Sequence, residues 1–294
     1  MILRFGSVEV RTFDGAPVTP VEFEVSWDAS AASKGGWSSF MAKEIADQPQ
    51  AVADTLMGRL ASDGSVRLSE IDGLSADDIK QIDRIIMVAC GTASYACDVA
   101  KYAIEKFARI PVQVELSHEF RYRDPILTAN TLIVAVSQSG ETMDTLMATR
   151  YAKEQGAKVL AICNTQGATL ARESDAVIYT HAGPEVAVAS TKALVAQITA
   201  GYLLALFLAN GRGATEQKVL RSLGKELLKM PARVTQVLER LDNVRALGKE
   251  MASAKSVLFL GRNVGFPVAM EGALKLKELA YIHAEGFAAG ELKH

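Results

Sequence analysis

The sequence is poor in cysteine and has no excess of charge of either sign. Its three cysteines, Cys90, Cys97 and Cys163, are odd in number and widely spaced. That arrangement gives neither a metal-ligand spacing nor a secreted disulfide framework, and it favours a reducing cytosol. The net charge of −2 creates no general attraction for nucleic acid or for an anionic membrane. We therefore expect a cytoplasmic protein that has neither as a partner.

Long uninterrupted hydrophobic runs are also missing. The N-terminal residues MILRFGSVEVRTF alternate apolar and polar types, so they do not form a signal peptide. The most apolar stretch, residues 193–211, approaches the length of a membrane span. Because Gln197, Thr199 and Gly201 interrupt it, we predict a buried helix of an α/β domain there.

The first fifty residues combine strand-like, linker-like and helical patterns. Residues 1–26 predict two strands with a turn at Asp14-Gly15, and an isolated hairpin is marginal in water, so they are expected to belong to something larger. The small polar stretch 26–36 is typical of a linker. From Phe40 to Leu60 the pattern is helical, and the proline at position 49 predicts two helices or a kink.

A regular alternation of strand and helix then begins. Apolar runs alternate with helix-like segments; the runs are 85–90, 112–116, 131–137, 158–164 and 176–180, and the helices are 93–108, 142–155, 167–173 and 189–209. This alternation predicts an α/β fold, a five-stranded parallel sheet sandwiched by helices with flavodoxin-like or Rossmann-like layering. Ligands of such sheets bind at the carboxyl ends of the strands.

The pattern starts again near the C-terminus. Residues 214–250 predict further helix, and SVLFLG at 256–261 begins a strand that weakly repeats the one at 85–90. One strand and one helix follow before His294, and they cannot bury a core. We expect the beginning of a second, incomplete subdomain.

The stretch SQSGETMDT, residues 137–145, follows the third apolar run and precedes a helix. The first N–H groups of a helix lack intrahelical partners, and the helix dipole is positive there, so an anion is stabilised. Ser137, Ser139 and Thr142 add hydroxyls, and Gln138 adds an amide. This predicts a phosphate site, although a plain N-cap would need only one of these hydroxyls.

Two further turns carry hydroxyls at strand ends. CGTAS (90–94) contains Cys90, Gly91 and Thr92 but matches neither a Walker loop nor G-x-G-x-x-G. Cys90 could be a nucleophile, but no histidine is near it in sequence, so a small residue at a strand end is favoured. VASTK (188–192) begins the long apolar helix. We expect the three turns to converge on one pocket.

The last helix-like segment places charged residues on one face. Glu271, Lys275 and Glu278 follow the spacing i, i+4 and i+7. A carboxylate held in a pocket can move a proton between neighbouring carbons, whereas the ordinary alternative is a solvated ion pair. His283 alone is expected to be a packed or capping residue.

Several of these motifs together resemble the isomerase half of the glutamine–fructose-6-phosphate aminotransferase (glucosamine-6-phosphate synthase) family. They occur in order from about Trp37 to His294; they are CGTAS, EFRYRDP, SQSGET, LAICN, RESD, VASTKA, EGALKLKE and HAEGFAAGELKH. The resemblance implies the sugar isomerase (SIS) fold. It divides the chain into 1–26 as the remnant of a glutaminase domain, 27–50 as linker and leading helix, 51–240 as the first SIS subdomain, and 241–294 as the incomplete second one.

The resemblance also implies roles for single residues. The residues that would bind the phosphate are Ser137, Gln138, Ser139 and Thr142. The residues that would make the remaining contacts with the substrate are Cys90, Gly91, Thr92, Val188, Ala189 and Ser190. Glu278 would move the proton between C1 and C2, Lys275 would assist it, and His294 would help to open the sugar ring across a dimer interface. Ala93 stands where many members of the family have a serine that touches phosphate. A lysine that forms an imine with the sugar is implied beyond His294.

The implied reaction makes glucosamine 6-phosphate from fructose 6-phosphate and glutamine-derived ammonia, without a cofactor or metal. The implied partners are the sugar phosphates, an ammonia-supplying glutaminase domain and a second copy of the chain. Met1 is followed by Ile2, so the catalytic N-terminal cysteine of such a domain is not in this chain, and activity of the chain alone is not expected. A non-catalytic phosphosugar-binding SIS module is the alternative.

Overall fold

The computed structural model describes residues 1–20 and 33–294. The predicted strand residues 21–26 and the first part of the predicted linker therefore lie outside the described residues. The N-terminal residues form an antiparallel sheet of three short strands, β1 (Ile2–Arg4), β2 (Ser7–Arg11) and β3 (Pro17–Val18). The turn predicted at Asp14-Gly15 joins β2 to β3. An extra strand arises because Gly6, at φ +77°, lets the chain reverse between β1 and β2.

The predicted helical segment 40–60 forms two helices, α1 (Phe40–Ala46) and α2 (Gln48–Leu56). Pro49 lies in the first turn of α2, where its missing N–H needs no intrahelical partner. The Ser39 hydroxyl accepts the Ala42 amide at 3.1 Å and caps α1. A third helix, α3 (Ala76–Gln81), was not predicted and begins with a capping box.

The five predicted strands form one parallel sheet, which confirms the fold class. Their bounds agree with the prediction to within one residue; they are β4 (Arg84–Ala89), β5 (Val112–Leu116), β6 (Thr131–Ser137), β7 (Lys158–Cys163) and β8 (Ala176–Tyr179). The order across the sheet is β5-β4-β6-β7-β8, and every neighbouring pair is parallel. All seven residues of β6, the central strand, are buried, as expected for a sheet that is covered on both faces.

Helices cover both faces of this sheet. They are α4 (Thr92–Ala103), which continues as a π-helical turn (Ile104–Ala108), then α5 (Ser117–Phe120), α6 (Met143–Glu154), α7 (Thr169–Glu173) and α8 (Lys192–Arg212). Successive residues of β4 point to opposite faces: Ile85 joins the core under α4 and α8, and Ile86 joins the core under α6.

The apolar segment 193–211 is the buried helix that the sequence predicts. α8 is long and apolar enough to cross a membrane by length and composition, but it packs against α2 and α4 in the core on one face of the sheet. Gly201 explains how closely α8 approaches α4, because a Cβ there would lie 2.6 Å from the Cβ of Ala100.

Four more α-helices follow α8 along the chain, and the last two of them lie in the predicted second subdomain. They are α9 (Gln217–Leu228), α10 (Met230–Leu238), α11 (Asp242–Met251) and α12 (Gly265–Ala280). β9 (Ser256–Gly261) precedes α12, and β10 (His283–Ala288) follows it and pairs with β9 in parallel. The prediction of a single strand in this unit is therefore wrong. The segment HAEGFA has no β-branched residue to signal a strand, and Gly286 allows it to lie against Met270 of α12.

Candidate functional site

A cavity of about 550 Å³ opens at the carboxyl ends of β4 and β6, where the topology predicts a ligand site. The turns after β4 and β6, the loop before α8 and one face of α12 surround it. The predicted residues on its wall are Cys90, Thr92, Ser137, Gln138, Ser139, Thr142, Val188, Ala189, Ser190, Lys275 and Glu278. The three hydroxyl-bearing turns therefore converge on one cavity, as the sequence predicts.

The turn after β6 is braced by its own hydroxyls. The Ser137 hydroxyl accepts the Gly140 amide at 3.0 Å and lies 3.2 Å from the Thr142 hydroxyl. The Ser139 hydroxyl accepts the Glu141 amide at 3.2 Å. α6 begins at Met143 with Thr142 as its N-cap residue. The turn thus presents hydroxyls beside the free N–H groups and positive dipole end of a three-turn helix.

Gly140 makes this turn possible. Its φ is +67°, and a Cβ there would lie 2.6 Å from both the Ala168 Cβ and the Cys163 Sγ. A side chain at this position would be strained and would also clash, so only glycine fits without rearrangement.

The turn after β4 places Thr92 and Cys90 on the cavity wall. Gly91, with φ +57°, is the N-cap residue of α4 and contributes its backbone conformation rather than wall surface. The Cys90 Sγ lies 3.9 Å from the Nδ1 of His118. That histidine is 28 residues away and comes near only through the fold, which is why the sequence did not indicate the contact.

The loop before α8 is held at both ends by carboxylates. Glu44 of α1, which is buried, accepts the amides of Val186 at 2.5 Å and Ala187 at 3.1 Å. Glu185 accepts the amides of Thr191 at 2.8 Å and of Ala193 at 3.2 Å, and so caps α8. Between these anchors Val188, at φ +69°, is 98% exposed. Neither carboxylate was predicted from the sequence.

The three charged residues that the sequence predicts on one face of α12 lie together there. The Lys275 Nζ lies 2.5 Å from Oε2 of Glu278 and 3.6 Å from Oε1 of Glu271. The Glu278 side chain is 41% exposed and lines the cavity, whereas the Glu271 side chain is 7% exposed. Burial is the main cause that raises the pKa of Glu271 to about 6, against the opposing effects of Lys275 and of a hydrogen bond from Thr92.

His294 is not brought to the cavity by this chain. It follows a turn of 3₁₀-helix (Ala289–Lys293) after β10, is exposed, and is absent from the cavity wall. His283, whose Nε2 lies 3.1 Å from Oε1 of Glu285, is likewise on the surface.

Some residues on the cavity wall were not predicted as site residues. They are Ala93, Val136, Thr145, Ala187, Gln197 and Leu279. Gln197 is buried, and within the described chain its Oε1 has no hydrogen-bond partner. Lys275 is the one cationic side chain on the wall formed by the described residues. No group of three or more potential metal ligands occurs in residues 1–20 and 33–294.

Comparison with known proteins gives a consistent family. The SIS domain family matches residues 78–207. Over 285 residues the chain is 62% identical to a glutamine–fructose-6-phosphate aminotransferase (isomerizing) of Corynebacterium glutamicum, covering 97% of this chain and 46% of that protein. The corresponding protein of Streptomyces coelicolor is 58% identical over 292 residues, covering 99% of this chain and 47% of the relative. The chain thus spans about half the length of the curated relatives it matches.

Solved structures agree with the fold. The C-terminal domain of glucosamine-fructose-6-phosphate aminotransferase from Francisella tularensis superimposes with a TM-score of 0.84 at 40% identity, over 89% of this chain and 73% of that one. A structure of glucosamine-6-phosphate deaminase from Thermotoga maritima superimposes with a TM-score of 0.64 at 21% identity, over 87% of this chain and 72% of that one. At 21% identity, the similarity to the Thermotoga maritima structure supports the fold alone.

Proposed function

Since the chain belongs to the sugar-isomerase (SIS) region of the glutamine–fructose-6-phosphate aminotransferase family, we propose that it binds fructose 6-phosphate and contributes the isomerising site that makes glucosamine 6-phosphate. The observation that carries this proposal is the convergence of three hydroxyl-bearing turns and the Lys275–Glu278 pair on one cavity. One cavity can therefore bind the phosphate of a small molecule and place a proton-transferring carboxylate beside the rest of that molecule.

The phosphate binds at the start of α6. Ser139, Thr142 and Gln138 donate to its oxygens, and the free N–H groups of the helix add further donors. Ser137 also donates to the phosphate, because its hydroxyl accepts the Gly140 amide and keeps its own O–H free to donate. The absence of Ser at position 93, where Ala93 lines the wall, removes about 1 kcal/mol of neutral hydrogen bonding, and binding survives.

The carbon chain of the sugar extends from the phosphate toward α12. Thr92 and Cys90 line one side of it, with Gly91 shaping the turn between them, and Val188, Ala189 and Ser190 line the other side. Glu278 removes a proton from one of the carbons C1 and C2 and returns it to the other, on one face of the substrate. Lys275 assists by orienting the Glu278 carboxylate, whose Oε2 it contacts at 2.5 Å.

Ring opening uses His294 of a second copy of the chain in a homodimer, because the copy that forms this cavity leaves its own His294 outside it. Ammonia comes from glutamine through a glutaminase domain, and the reaction takes place in the cytoplasm. A non-catalytic phosphosugar-binding module remains the second candidate. The raised pKa of Glu271 beside the Lys275–Glu278 pair favours the enzyme, because a sensor needs only the phosphate turn.

Titration calorimetry of the chain with fructose 6-phosphate tests the binding half of this proposal. Ser139→Ala together with Thr142→Ala should weaken binding by more than tenfold, because each lost hydrogen bond to a charged group contributes about 1.5–3 kcal/mol and about 1.4 kcal/mol corresponds to tenfold. Ser253→Ala, at an exposed position outside the cavity, is the control and should leave the affinity unchanged. Equal affinities for the double variant and the control would remove the phosphate from the α6 turn.

A further inference from the structure

Glu271 is a buried carboxylate on α12 to which neither the sequence nor the comparisons give a role. Its Oε1 accepts the Thr92 hydroxyl at 3.0 Å, so the carboxylate joins α12 to the first turn of α4. The two helices pack against each other, and Thr92 lies on the cavity wall. Glu271 is thus fixed to the first turn of α4.

The same oxygen faces the Lys275 ammonium, one helical turn further along α12. The Nζ of Lys275 lies 3.6 Å from Oε1 of Glu271 and 2.5 Å from Oε2 of Glu278. Lys275 therefore stands between two carboxylates of unequal exposure. The inner one is held by burial and by Thr92, and the outer one is on a side chain that is 41% exposed.

The second oxygen of Glu271 indicates that this arrangement is not the most stable one available. Within the described residues its Oε2 is buried and has no hydrogen-bond partner. A buried ionised oxygen without a partner destabilises the folded state, and an amide or apolar side chain would avoid part of that cost. Departures of this kind from the locally favourable choice are typical of functional sites.

We propose that Glu271 is a positioning residue, which anchors the Lys275 ammonium between two carboxylates and so fixes the Glu278 carboxylate at the cavity wall. The sequence of contacts runs from Thr92 through Glu271 and Lys275 to Glu278, and no link is longer than 3.6 Å. The inference rests on the proposed function, because Glu278 needs a fixed position only if it transfers a proton.

The inference includes a pH dependence. The groups that face Glu271 are Lys275 and Glu278 on its own helix, and Thr92 and Tyr95 on α4. Burial, followed by the Lys275 charge, sets the pKa of the Glu271 carboxyl near 6. Below that pH the carboxyl is neutral and attracts Lys275 less, so proton transfer by Glu278 should fall as the pH drops through about 6.

The test is Glu271→Gln in a protein of the full length of the relatives that carries this chain. Exchange of a C1 proton of fructose 6-phosphate into deuterated water reports the proton transfer and is followed by NMR. We expect exchange to fall roughly tenfold or more, because a misplacement of about 1 Å can cost on the order of 10²-fold. Affinity for fructose 6-phosphate, measured by calorimetry, should stay the same, and the inflection near pH 6 should be lost from the exchange profile.

Two further variants complete the test. Glu250→Gln, at an exposed position on α11, removes one carboxylate without touching the cavity and should exchange at the unmutated rate. Glu271→Asp keeps the charge but shortens the reach, so it should exchange more slowly than the unmutated protein and should keep the inflection.

The outcomes separate this inference from the function on which it rests. If the unmutated protein itself exchanges no proton, the proposed function fails. If it exchanges and Glu271→Gln exchanges at the same rate with the same pH profile, the positioning role is wrong. A Glu271→Gln protein that does not fold, or a loss of affinity equal to the loss of rate, would assign Glu271 to the structure alone.

Discussion

Glu271 makes a quantitative prediction about stability, separate from its effect on rate. Burial raises its pKa from 4.5 to about 6, a change of about 1.5 units. Each unit corresponds to about 1.36 kcal/mol, so ionised Glu271 reduces the free energy of unfolding by about 2 kcal/mol relative to the protonated form. Because the pKa is raised on folding, the free energy of unfolding has its full value below pH 4.5. About 2 kcal/mol of it is lost as the pH rises through about 6.

Glu271→Gln removes the titration while keeping size and polarity. Urea denaturation of the 294-residue chain, followed by far-UV circular dichroism from about pH 4 to about pH 8, gives the free energy of unfolding of both proteins. The unmutated value minus the Glu271→Gln value should fall by about 2 kcal/mol over this range. Glu250→Gln, compared in the same way, should show no fall of this size.

A difference that stays constant with pH, or that grows as the pH rises, would refute the reasoning. The first result would mean that Glu271 is not desolvated enough to titrate abnormally. The second would mean that the contacts with Lys275 and Thr92 stabilise the ionised form by more than burial destabilises it.

Three other predictions follow from the cavity wall. Glu44→Ala should lower the free energy of unfolding by about 1–3 kcal/mol for each backbone amide left unpaired, and it should weaken fructose 6-phosphate binding. Glu44→Gln keeps an acceptor and should recover part of the stability and part of the affinity. Thermal unfolding measures the stability, and calorimetry measures the affinity. Gly140→Ala should destabilise the chain more than Gly156→Ala, since both positions have positive φ but only the first meets side chains within 4 Å; denaturation midpoints compare them. Cys90 should react with a thiol reagent at about pH 8, and fructose 6-phosphate should slow the reaction, whereas Cys163, whose pKa burial raises to about 11, should stay unreactive; peptide mass spectrometry locates the label.

Each of these has a contrary outcome. Equal stabilities of the Glu44→Ala and unmutated proteins would mean that the loop before α8 needs no anchor. Equal midpoints for the two alanine variants would show that the turn after β6 adjusts freely to a side chain. Labelling of Cys90 at a rate independent of the sugar phosphate would place the ligand away from the turn after β4.

The sheet could be predicted because each strand is a short apolar run bounded by turn residues, and because parallel strands must be joined by helices. That topology brings the carboxyl ends of β4 and β6 to one edge, which is why three separate turns could be expected to meet. β10 could not be predicted, since it has no β-branched residue, contains Gly286 and owes its conformation to β9 and α12. Local pattern carries no information on such a tertiary requirement.

The environment of the carboxylates around the cavity could likewise be predicted only in part. Helical spacing placed Glu271, Lys275 and Glu278 on one face, but it could not tell which carboxylate would be buried. Glu44 acts on amides 142 and 143 residues away, and no local motif indicates such a contact. The role of His294 came only from the family resemblance, and it stays a prediction because this chain leaves His294 outside its own cavity.

The most direct test of the central claim is Glu278→Gln in a protein of the full length of the relatives that carries this chain. The variant keeps size and polarity but removes the base, so fructose 6-phosphate should still bind while exchange of its C1 proton into deuterated water falls by about 10² to 10⁴. If Glu278 were only the partner of a surface ion pair with Lys275, its loss would cost about 0.3–0.5 kcal/mol and would hardly change the rate. Exchange at the unmutated rate would contradict the account and leave the cavity as a binding site alone.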